Sequence, residues 1–278
     1  MISGVLEMVA VTAIWGSVSV VAIWSGLPSP AFVFFRVFVA FLALLARYRR
    51  VDAEALLDKR MVLSGIFLAL NWVLLFYAVS LIPVAEAVML YYTGPLFAVV
   101  AAHLLGERAS PSRLALAGIA FAGAVVVVNP LGLGGGPGAF LALASGLFYG
   151  LLIVANKLAV RSVEPARLVF YQTAIASAVL APFALTSSFR LTPSAVVAVL
   201  VAAFVNTLLA LYLWYDALRK ISVQLASVLS YLDPVFAAVF AFIFLGQIPP
   251  RTTIIGGALI LLSGALTAAL EARPRRRG

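Results

Sequence analysis

The chain is a succession of apolar runs, each close to the length of about 20 residues that crosses a bilayer as helix. Ten runs can be counted, at 5–25, 31–47, 62–81, 84–105, 112–129, 138–160, 165–185, 193–215, 221–245 and 251–270. The mean hydropathy is +1.15, and only 10% of the residues are charged. A water-soluble domain needs more charge to cover its surface. The pattern predicts an all-α polytopic membrane protein with ten transmembrane helices.

The Lys and Arg residues indicate how these helices are oriented. With a cytoplasmic N-terminus, one side of the membrane receives Arg47, Arg49, Arg50, Lys59, Arg60, Arg108, Arg113, Lys157, Arg161, Arg167, Arg219, Lys220, Arg273, Arg275, Arg276 and Arg277. The other side receives only Arg190 and Arg251, and Arg36 stays inside a helix. Because cytoplasmic loops are rich in Lys and Arg, we expect both termini in the cytoplasm. The formal charge of +9 then needs no nucleic-acid partner.

The composition also narrows the chemistry. The chain has no cysteine and one histidine, which excludes disulfides, cysteine-ligated metals and a multi-histidine metal site. It has no Gly-x-x-x-x-Gly-Lys-Ser/Thr loop for nucleotide phosphates. We therefore expect no metal, no cofactor and no use of ATP.

The second half of the chain resembles the first at a constant shift, which places Tyr231 on Tyr92 and Pro234 on Pro95. We call this the repeat shift. Matching residues over both stretches include Ile82, Val84, Ala87, Leu90 and Phe97 with Ile221, Val223, Ala226, Leu229 and Phe236. The Gly-rich run around 130–138 is a natural linker, giving halves at 1–130 and 131–278. Five helices in each half predict two inverted repeats, an arrangement common in secondary transporters.

Short motifs add a resemblance to a known family. They are Trp15-Gly16, Phe35-Arg36, Phe76-Tyr77-Ala78, Gly94-Pro95, Leu105-Gly106-Glu107-Arg108, Tyr149-Gly150, Asn156-Lys157, Tyr215-Asp216-Ala217, Pro234 and Leu245-Gly246. In order and duplication they resemble the drug/metabolite transporter superfamily, in particular its EamA-domain family with the YddG-type amino-acid exporters. The resemblance implies ten helices around a central cavity, alternating access and a prokaryotic cell membrane. Gln247 stands where that family often has Glu.

Two charged sites inside the apolar runs are candidates for function, because such residues are costly in lipid. Asp233 lies midway along the ninth run, before Pro234, and is either a proton or cation site or a protonated structural group. Pro95 and Pro234 are candidate helix hinges. Arg36 either pairs with Glu86 as a gate or strut, holds a substrate carboxylate, or snorkels to the interface.

Other polar and aromatic residues are candidate cavity residues. The amides are Asn71, Gln172 and Asn206, which either line the cavity or join helices by hydrogen bonds. The aromatic candidates are Trp15, Trp72, Tyr91, Tyr92, Tyr149 and Tyr231, with helix packing as the alternative.

Taken together, these features predict a secondary transporter that exports small organic metabolites, amino acids above all. Its partners would be a small-molecule substrate and membrane lipid, and it would be a monomer or homodimer. The alternatives are a non-transporting membrane enzyme or scaffold, or a transporter of cationic drugs, nucleobases or sugar phosphates. An enzyme would need clustered acid, base or nucleophile residues, whereas the charges within the runs are few and scattered.

Overall fold

The structure is a computed structural model that describes residues 2–48, 58–104, 111–128, 136–159, 163–220, 229 and 232–272. The regular structure of these residues is entirely helical. The helices are α1 (Ile2–Ser25), α2 (Ser29–Tyr48), α3 (Lys59–Leu81), α4 (Val84–Tyr91), α5 (Gly94–Leu104), α6 (Pro111–Val128), α7 (Gly136–Ala159), α8 (Pro165–Leu185), α9 (Pro193–Ala203), α10 (Ala210–Lys220), α11 (Asp233–Leu245) and α12 (Arg251–Ala272). A π-helical segment, Phe204–Leu209, joins α9 to α10.

Among the described residues, six helical stretches are long and apolar enough to cross a membrane. They are Ser3–Ser25, Ser29–Tyr48, Lys59–Leu81, Gly136–Asn156, Ala166–Leu185 and Pro193–Trp214. Shorter apolar helices lie at Ala115–Val126, Asp233–Leu245 and Arg251–Leu266. Large apolar side chains are exposed along many of these helices, as lipid contact requires. The prediction of an all-helical polytopic membrane protein is confirmed.

Two predicted helices have a different form in the structure. The fourth run, 84–105, is divided into α4 and α5, because the chain turns at Tyr92 and Thr93. The Pro95 nitrogen has no hydrogen to donate to a carbonyl one turn earlier, which favours a break in the helix before it. The eighth run is continuous from Pro193 to Lys220 but passes through the π-helical segment. Of the ninth run, only Leu229 and the residues from 232 onward are among those described.

The helices pack with partners that are distant in sequence. α3 lies against α7 and α8, and α1 lies against α9, α10 and α11. α6 packs on α12, and α2 packs on α8. Glycines let some backbones approach closely. A Cβ on Gly123 of α6 would lie 2.7 Å from the Gly256 carbonyl oxygen of α12.

Candidate functional site

Arg36 is the largest of the fully buried side chains, with 2% of its surface exposed. Its Nε donates to Thr207 Oγ1 at 2.7 Å, and its Nη2 donates to the Asn206 carbonyl oxygen at 2.9 Å. Its guanidinium carbon lies 3.9 Å from the centre of the Trp72 ring. A cation over an indole face is attracted by the ring quadrupole. Arg36 is therefore held inside the bundle and does not snorkel to the interface.

The π-helical segment supplies the groups that bind Arg36. In an α-helix the carbonyl of residue 206 would be used within the helix, whereas a π-helical turn changes the hydrogen-bond spacing. Here the Asn206 carbonyl oxygen accepts both from Arg36 and from Trp15 Nε1, the latter at 3.2 Å. Thr207 Oγ1 itself donates to the Ala202 carbonyl oxygen at 2.8 Å. The π-helical segment thus acts as a polar surface facing α1 and α2.

The Asn206 side chain ties the same segment to α1. Its Nδ2 donates to the Ile14 carbonyl oxygen at 2.6 Å and to Ser17 Oγ at 3.1 Å. Its Oδ1 is buried and has no hydrogen-bond partner among the described residues. A buried acceptor without a partner costs about 1–3 kcal/mol, so this atom is available to a ligand donor.

The predicted ion pair between Arg36 and Glu86 is absent from the described part of the chain. Glu86 lies in the first turn of α4 and is 7% exposed, and its Oε1 has no hydrogen-bond partner there. The ion pairs of the described residues join Arg60 to Asp58, and Lys220 to Glu7 and Asp216. Arg36 is consequently a buried cation without a carboxylate partner in that part of the chain.

Asp233 occupies the start of α11, and not the middle of a long helix as predicted. It is 8% exposed, and its Oδ2 accepts a hydrogen bond from Tyr92 Oη at 2.6 Å. Pro234 follows it in the first turn, where the missing N–H of proline is no loss. Pro95 takes the same place in α5, one residue after Gly94. Both prolines therefore lie in the first turn of a helix, and their role as hinges stays a prediction.

Three tyrosines surround this carboxylate. Tyr91 and Tyr149 are stacked with ring centroids 4.7 Å apart, and Tyr92 meets Tyr91 edge-on at 5.3 Å. Tyr149 lies 6.3 Å from Tyr92. Two glycines let α7 approach the turn that carries Tyr91 and Tyr92. A Cβ on Gly146 would lie 2.9 Å from the Tyr91 carbonyl oxygen, and a Cβ on Gly150 would lie close to α5.

The two buried charges lie at similar depth in the bundle. Asn206, which binds Arg36, is thirteen residues after Pro193, or about 20 Å of helical rise. Asp233 is twelve residues before Leu245, or about 18 Å. Trp24 marks the end of the bundle shared by both helices, since its ring is 5.4 Å from Phe244 and it lines a cavity with Thr192. Asp233 and the Asn206 carbonyl group that binds Arg36 therefore lie at similar distances from that end of the bundle.

Tyr91 is close to both charges. It lies within electrostatic range of Arg36, of Asp233 and of Tyr149. Trp15, Trp72, Tyr91 and Tyr149 are only partly buried, in contrast to Arg36 and Tyr92. The structure thus brings an arginine, an aspartate and a group of aromatic rings around one region.

The remaining predicted residues have separate positions. Gln172 Nε2 donates to Ser64 Oγ at 2.5 Å and to Asn156 Oδ1 at 2.7 Å, which joins α8 to α3 and α7. The Asn71 carbonyl oxygen accepts from Ser145 Oγ at 2.7 Å, while its Nδ2 has no partner among the described residues. Tyr231 lies outside the described residues.

Sequence reasoning missed some polar contacts, those of Thr207 above all. Thr207 follows Asn206 directly, so a second polar residue at that point of an apolar helix was a usable signal. Ser64 and Asn156 carry a similar signal, since Ser64 Oγ donates to Asn156 Oδ1 at 2.6 Å across two helices.

Comparison with known proteins places this arrangement in a family. The EamA-like transporter family matches residues 2–129 and again residues 136–269. The uncharacterized transporter YxxF of Bacillus subtilis is 26% identical over 95% of this chain and 89% of that protein. The pseudopaline exporter CntI of Pseudomonas aeruginosa is 30% identical over 85% of each chain. A probable terminal-alkyne amino-acid exporter of Streptantibioticus cattleyicolor is 29% identical over 64% of this chain and 62% of that protein.

A solved structure shares the fold. It covers 99% of both chains with a TM-score of 0.64, at 23% identity. The family match spans nearly all of the sequence, and the relatives are named as transporters or exporters. The chain is a multi-pass membrane protein that belongs to the EamA-like transporter family.

Proposed function

We propose that this protein is a secondary transporter that exports amino acids or closely related zwitterionic metabolites by alternating access. The observation that carries the proposal is the pair of buried opposite charges, Arg36 and Asp233, both within electrostatic range of Tyr91. A zwitterion carries one carboxylate and one ammonium group. Each of its charges would meet the opposite charge of the protein in this region.

The contacts of Arg36 suit it to a substrate carboxylate. Its guanidinium is positioned by two hydrogen bonds and by Trp72, none of which neutralises its charge. A planar guanidinium binds a carboxylate through two parallel hydrogen bonds. A buried cation is costly when unpaired, so binding of an anion at this point would be favourable.

Asp233 suits the ammonium group. Its Oδ2 accepts from Tyr92, and a carboxylate has further lone pairs with which to bind a cation. The stacked rings of Tyr91 and Tyr149 provide apolar surface for the substrate side chain, with hydroxyl groups at the edge. Asp233 could also carry a coupling proton, because it is buried and titratable.

Alternating access would follow from two inverted repeats of five helices, in halves 1–130 and 131–278. The two separate matches of the family to the chain support this division. Glycine contacts support the inversion. A Cβ on Gly16 of α1 would lie 2.7 Å from Phe236 Cβ and 2.9 Å from Ala237 N, while one on Gly150 of α7 would lie 2.8 Å from Phe97 Cβ and 2.9 Å from Ala98 N. The repeat shift places Phe236 and Ala237 on Phe97 and Ala98.

The helix packing supports the same symmetry. Exchange of the halves would turn the contact of α3 with α7 into that of α1 with α9 and α10, and both are among the extensive contacts. The contacts α2 with α8 and α6 with α12 would each map onto themselves. A ten-helix bundle of this kind can open toward either side through equivalent movements of its two halves. The Lys and Arg distribution favours cytoplasmic termini.

Two of the relatives support export, and one of these two supports an amino-acid cargo. One is named as a probable terminal-alkyne amino-acid exporter and another as a pseudopaline exporter. Others are named as a riboflavin transporter and an S-adenosylmethionine uptake transporter. Small organic substrates are common to these names, and the charges of this chain favour the zwitterionic class.

The test is counterflow in proteoliposomes that contain the purified protein. Vesicles loaded with an unlabelled amino-acid mixture should accumulate labelled amino acid without ATP. We expect Arg36→Gln and Asp233→Asn to reduce apparent affinity by about 2 kcal/mol each, or about 30-fold. A matched substrate identifies the contact with Arg36. An amino-acid amide lacks the carboxylate, so its apparent affinity should be unchanged by Arg36→Gln.

Ser80→Ala is the matched control, since Ser80 is exposed near the end of α3 and bonds only within its own helix. Counterflow of nucleobases, sugar phosphates or organic cations, with no counterflow of amino acids, would overturn the zwitterion assignment. Absence of flux for every class, from protein that is folded, would overturn the transport proposal.

A further inference from the structure

An open cavity of about 960 Å³ lies at the end of the bundle marked by Trp24. We call it the mouth. It is lined by the turn between α1 and α2 and by the loop between α8 and α9, including Trp24, Ser188, Phe189, Arg190, Thr192 and Ser194. Of the four helices that begin or end there, three lead to the Arg36 region: α1 carries Trp15, α2 carries Arg36, and α9 continues to Asn206.

The mouth carries a positive charge. Arg190 is exposed, and it forms no ion pair with the residues that the structure describes. The loop around it is positioned by hydrogen bonds: Thr192 N donates to the Arg190 carbonyl oxygen at 3.1 Å, and Thr192 Oγ1 accepts from Ala195 N at 3.1 Å. Hydroxyl groups of Ser188 and Ser194 share the lining. A cation beside hydroxyl groups is suited to the carboxylate of a small molecule.

Two phenylalanines connect the mouth with the helix that carries the buried arginine. Phe189 lines the mouth, and its ring meets Phe35 edge-on with centroids 5.4 Å apart. Phe35 immediately precedes Arg36 on α2, and Arg36 is seven residues, or about 10 Å of helical rise, after Ser29. Arg36 is 2% exposed, so in this structure it is closed off from the mouth.

We propose that the mouth is a second docking site for carboxylate-bearing small molecules, with Arg190 as its cation, and that the Phe35–Phe189 pair is the barrier between this site and Arg36. In the transport proposal the substrate would pass from one arginine to the other when the two rings separate. That role rests on the proposed function, but binding at the mouth and closure by the rings do not require transport. They are therefore tested by chemical labelling of single cysteines.

The natural absence of cysteine makes this labelling direct. Ser188→Cys places one thiol in the mouth, and Ser80→Cys places a control thiol on the exposed end of α3. Anionic and cationic methanethiosulfonates of similar size are compared on protein in nanodiscs. Relative to the control, we expect the anionic reagent to react about tenfold faster at Ser188→Cys, because a cationic cleft concentrates anions. Arg190→Gln should abolish this preference.

Protection identifies the ligand group. Propionate should slow the labelling of Ser188→Cys, and propionamide, which has the same shape without the charge, should not. Equal rates for the two reagents, or equal protection by propionate and propionamide, would overturn the docking site. This result leaves counterflow in proteoliposomes unaffected, so failure of the mouth proposal is distinguishable from failure of the transport proposal.

The barrier is tested with a thiol in the Arg36 region. Ser17 is on α1, and its Oγ accepts a hydrogen bond from Asn206, so Ser17→Cys places the thiol in this region. We expect Phe189→Ala to accelerate its labelling about tenfold, and Phe183→Ala, an exposed phenylalanine of α8, to leave it unchanged. An unchanged rate in Phe189→Ala would overturn the barrier, and a thermal-unfolding curve of each variant checks that a faster rate does not come from unfolding.

Discussion

Two interruptions of the helical structure, one in each half of the chain, share two backbone hydrogen bonds and differ in their side chains. In the first, Thr93 N donates to the Leu90 carbonyl oxygen and Phe97 N to the Thr93 carbonyl oxygen. In the second, Leu232 N donates to the Leu229 carbonyl oxygen and Phe236 N to the Leu232 carbonyl oxygen. The repeat shift carries the two bonds named in the first interruption onto the two named in the second. Both are followed by a helix with proline in its first turn.

The residue before proline makes the two interruptions chemically different. It is Gly94 in the first half and Asp233 in the second. A Cβ on Gly94 would lie against the Tyr149 ring and 2.9 Å from the Gly146 carbonyl oxygen, so glycine permits close packing there. Asp233 instead places a carboxylate beside Tyr92. The same pair of backbone hydrogen bonds thus accompanies tight packing in one half and a charge in the other. The candidate site is therefore chemically asymmetric, whether or not the fold is symmetric.

Substitution of Asp233 is the strongest test of the difference between the two interruptions. Asp233→Gly copies the residue of the first half and removes the carboxylate from this interruption. We expect amino-acid affinity in counterflow to fall by about 2 kcal/mol, or about 30-fold, because a charged hydrogen-bond acceptor is lost. Helix content should be unchanged, since glycine begins α5 at the equivalent position.

Unchanged affinity in Asp233→Gly would remove the carboxylate from substrate binding. Asp233→Asn is the second variant, because an amide oxygen can still accept from Tyr92 while the charge is absent. Equal loss in both variants indicates that the charge matters, whereas a loss confined to Asp233→Gly indicates that only the hydrogen bond to Tyr92 matters.

Substitution of Gly94 tests the close packing of the first interruption. Gly94→Ala inserts a methyl group where the Tyr149 ring and the Gly146 carbonyl lie, and overpacking of this kind costs about 1–3 kcal/mol. Thermal unfolding in detergent measures the loss. Gly118→Ala on α6 is the matched control, since no atom lies within 4 Å of its added Cβ and alanine is favoured in helices by up to about 1 kcal/mol. Equal stability of the two variants would contradict the close approach.

The sequence was sufficient to predict the class of fold because apolar length alone determines it. The helical membrane protein and the EamA family were predicted and are confirmed. The burial of Arg36 and Asp233 could also be expected from their position in apolar runs. The residues that bind them could not be predicted from the sequence. The Arg36 site depends on a π-helical segment, and no residue type signals a change of hydrogen-bond spacing within an apolar helix.

The position of Asp233 shows a second limit of sequence reasoning. Proline within an apolar run is compatible with a kink and with a new helix start, and local sequence does not separate these outcomes. The preceding turn at Leu232 decides it here. The roles of the predicted site residues remain predictions, because geometry alone does not measure transport.

A contact between the halves gives a smaller test. The second half reaches the first at Gln247, whose Oε1 accepts from Val84 N at 2.9 Å and so caps α4. Gln247→Ala should cost about 1 kcal/mol of stability, as the loss of a helix N-terminal cap usually does. Gln247→Glu should retain the cap, because a carboxylate accepts the same bond and favours the positive helix end. Loss of stability in both variants would contradict capping as the role of this side chain.

The smallest expected effect concerns two equivalent positions, one in each half of the chain. The contact is ionic at the position in the second half and apolar at the position in the first. Lys220 of α10 donates to Asp216 Oδ2 at 2.5 Å and also to Glu7 of α1. Its counterpart under the repeat shift is Leu81, which with Ile82 packs close to Gly138 of α7. The hydrogen bonds to Asp216 and then to Glu7 raise the pKa of Lys220. The native state therefore holds this proton more tightly than the unfolded state does.

Since the pKa is raised, the ionic contact stabilises the protein below the ordinary pKa of lysine, and its contribution disappears as the pH rises through the native value. Lys220→Leu copies Leu81 and should remove that part of the alkaline decline in melting temperature, together with part of the salt dependence. Because the group is exposed, the shift should be small. If the wild type and Lys220→Leu decline identically with pH and salt, the ionic contact does not join α1 to α10 in solution, and the two ends differ only in composition.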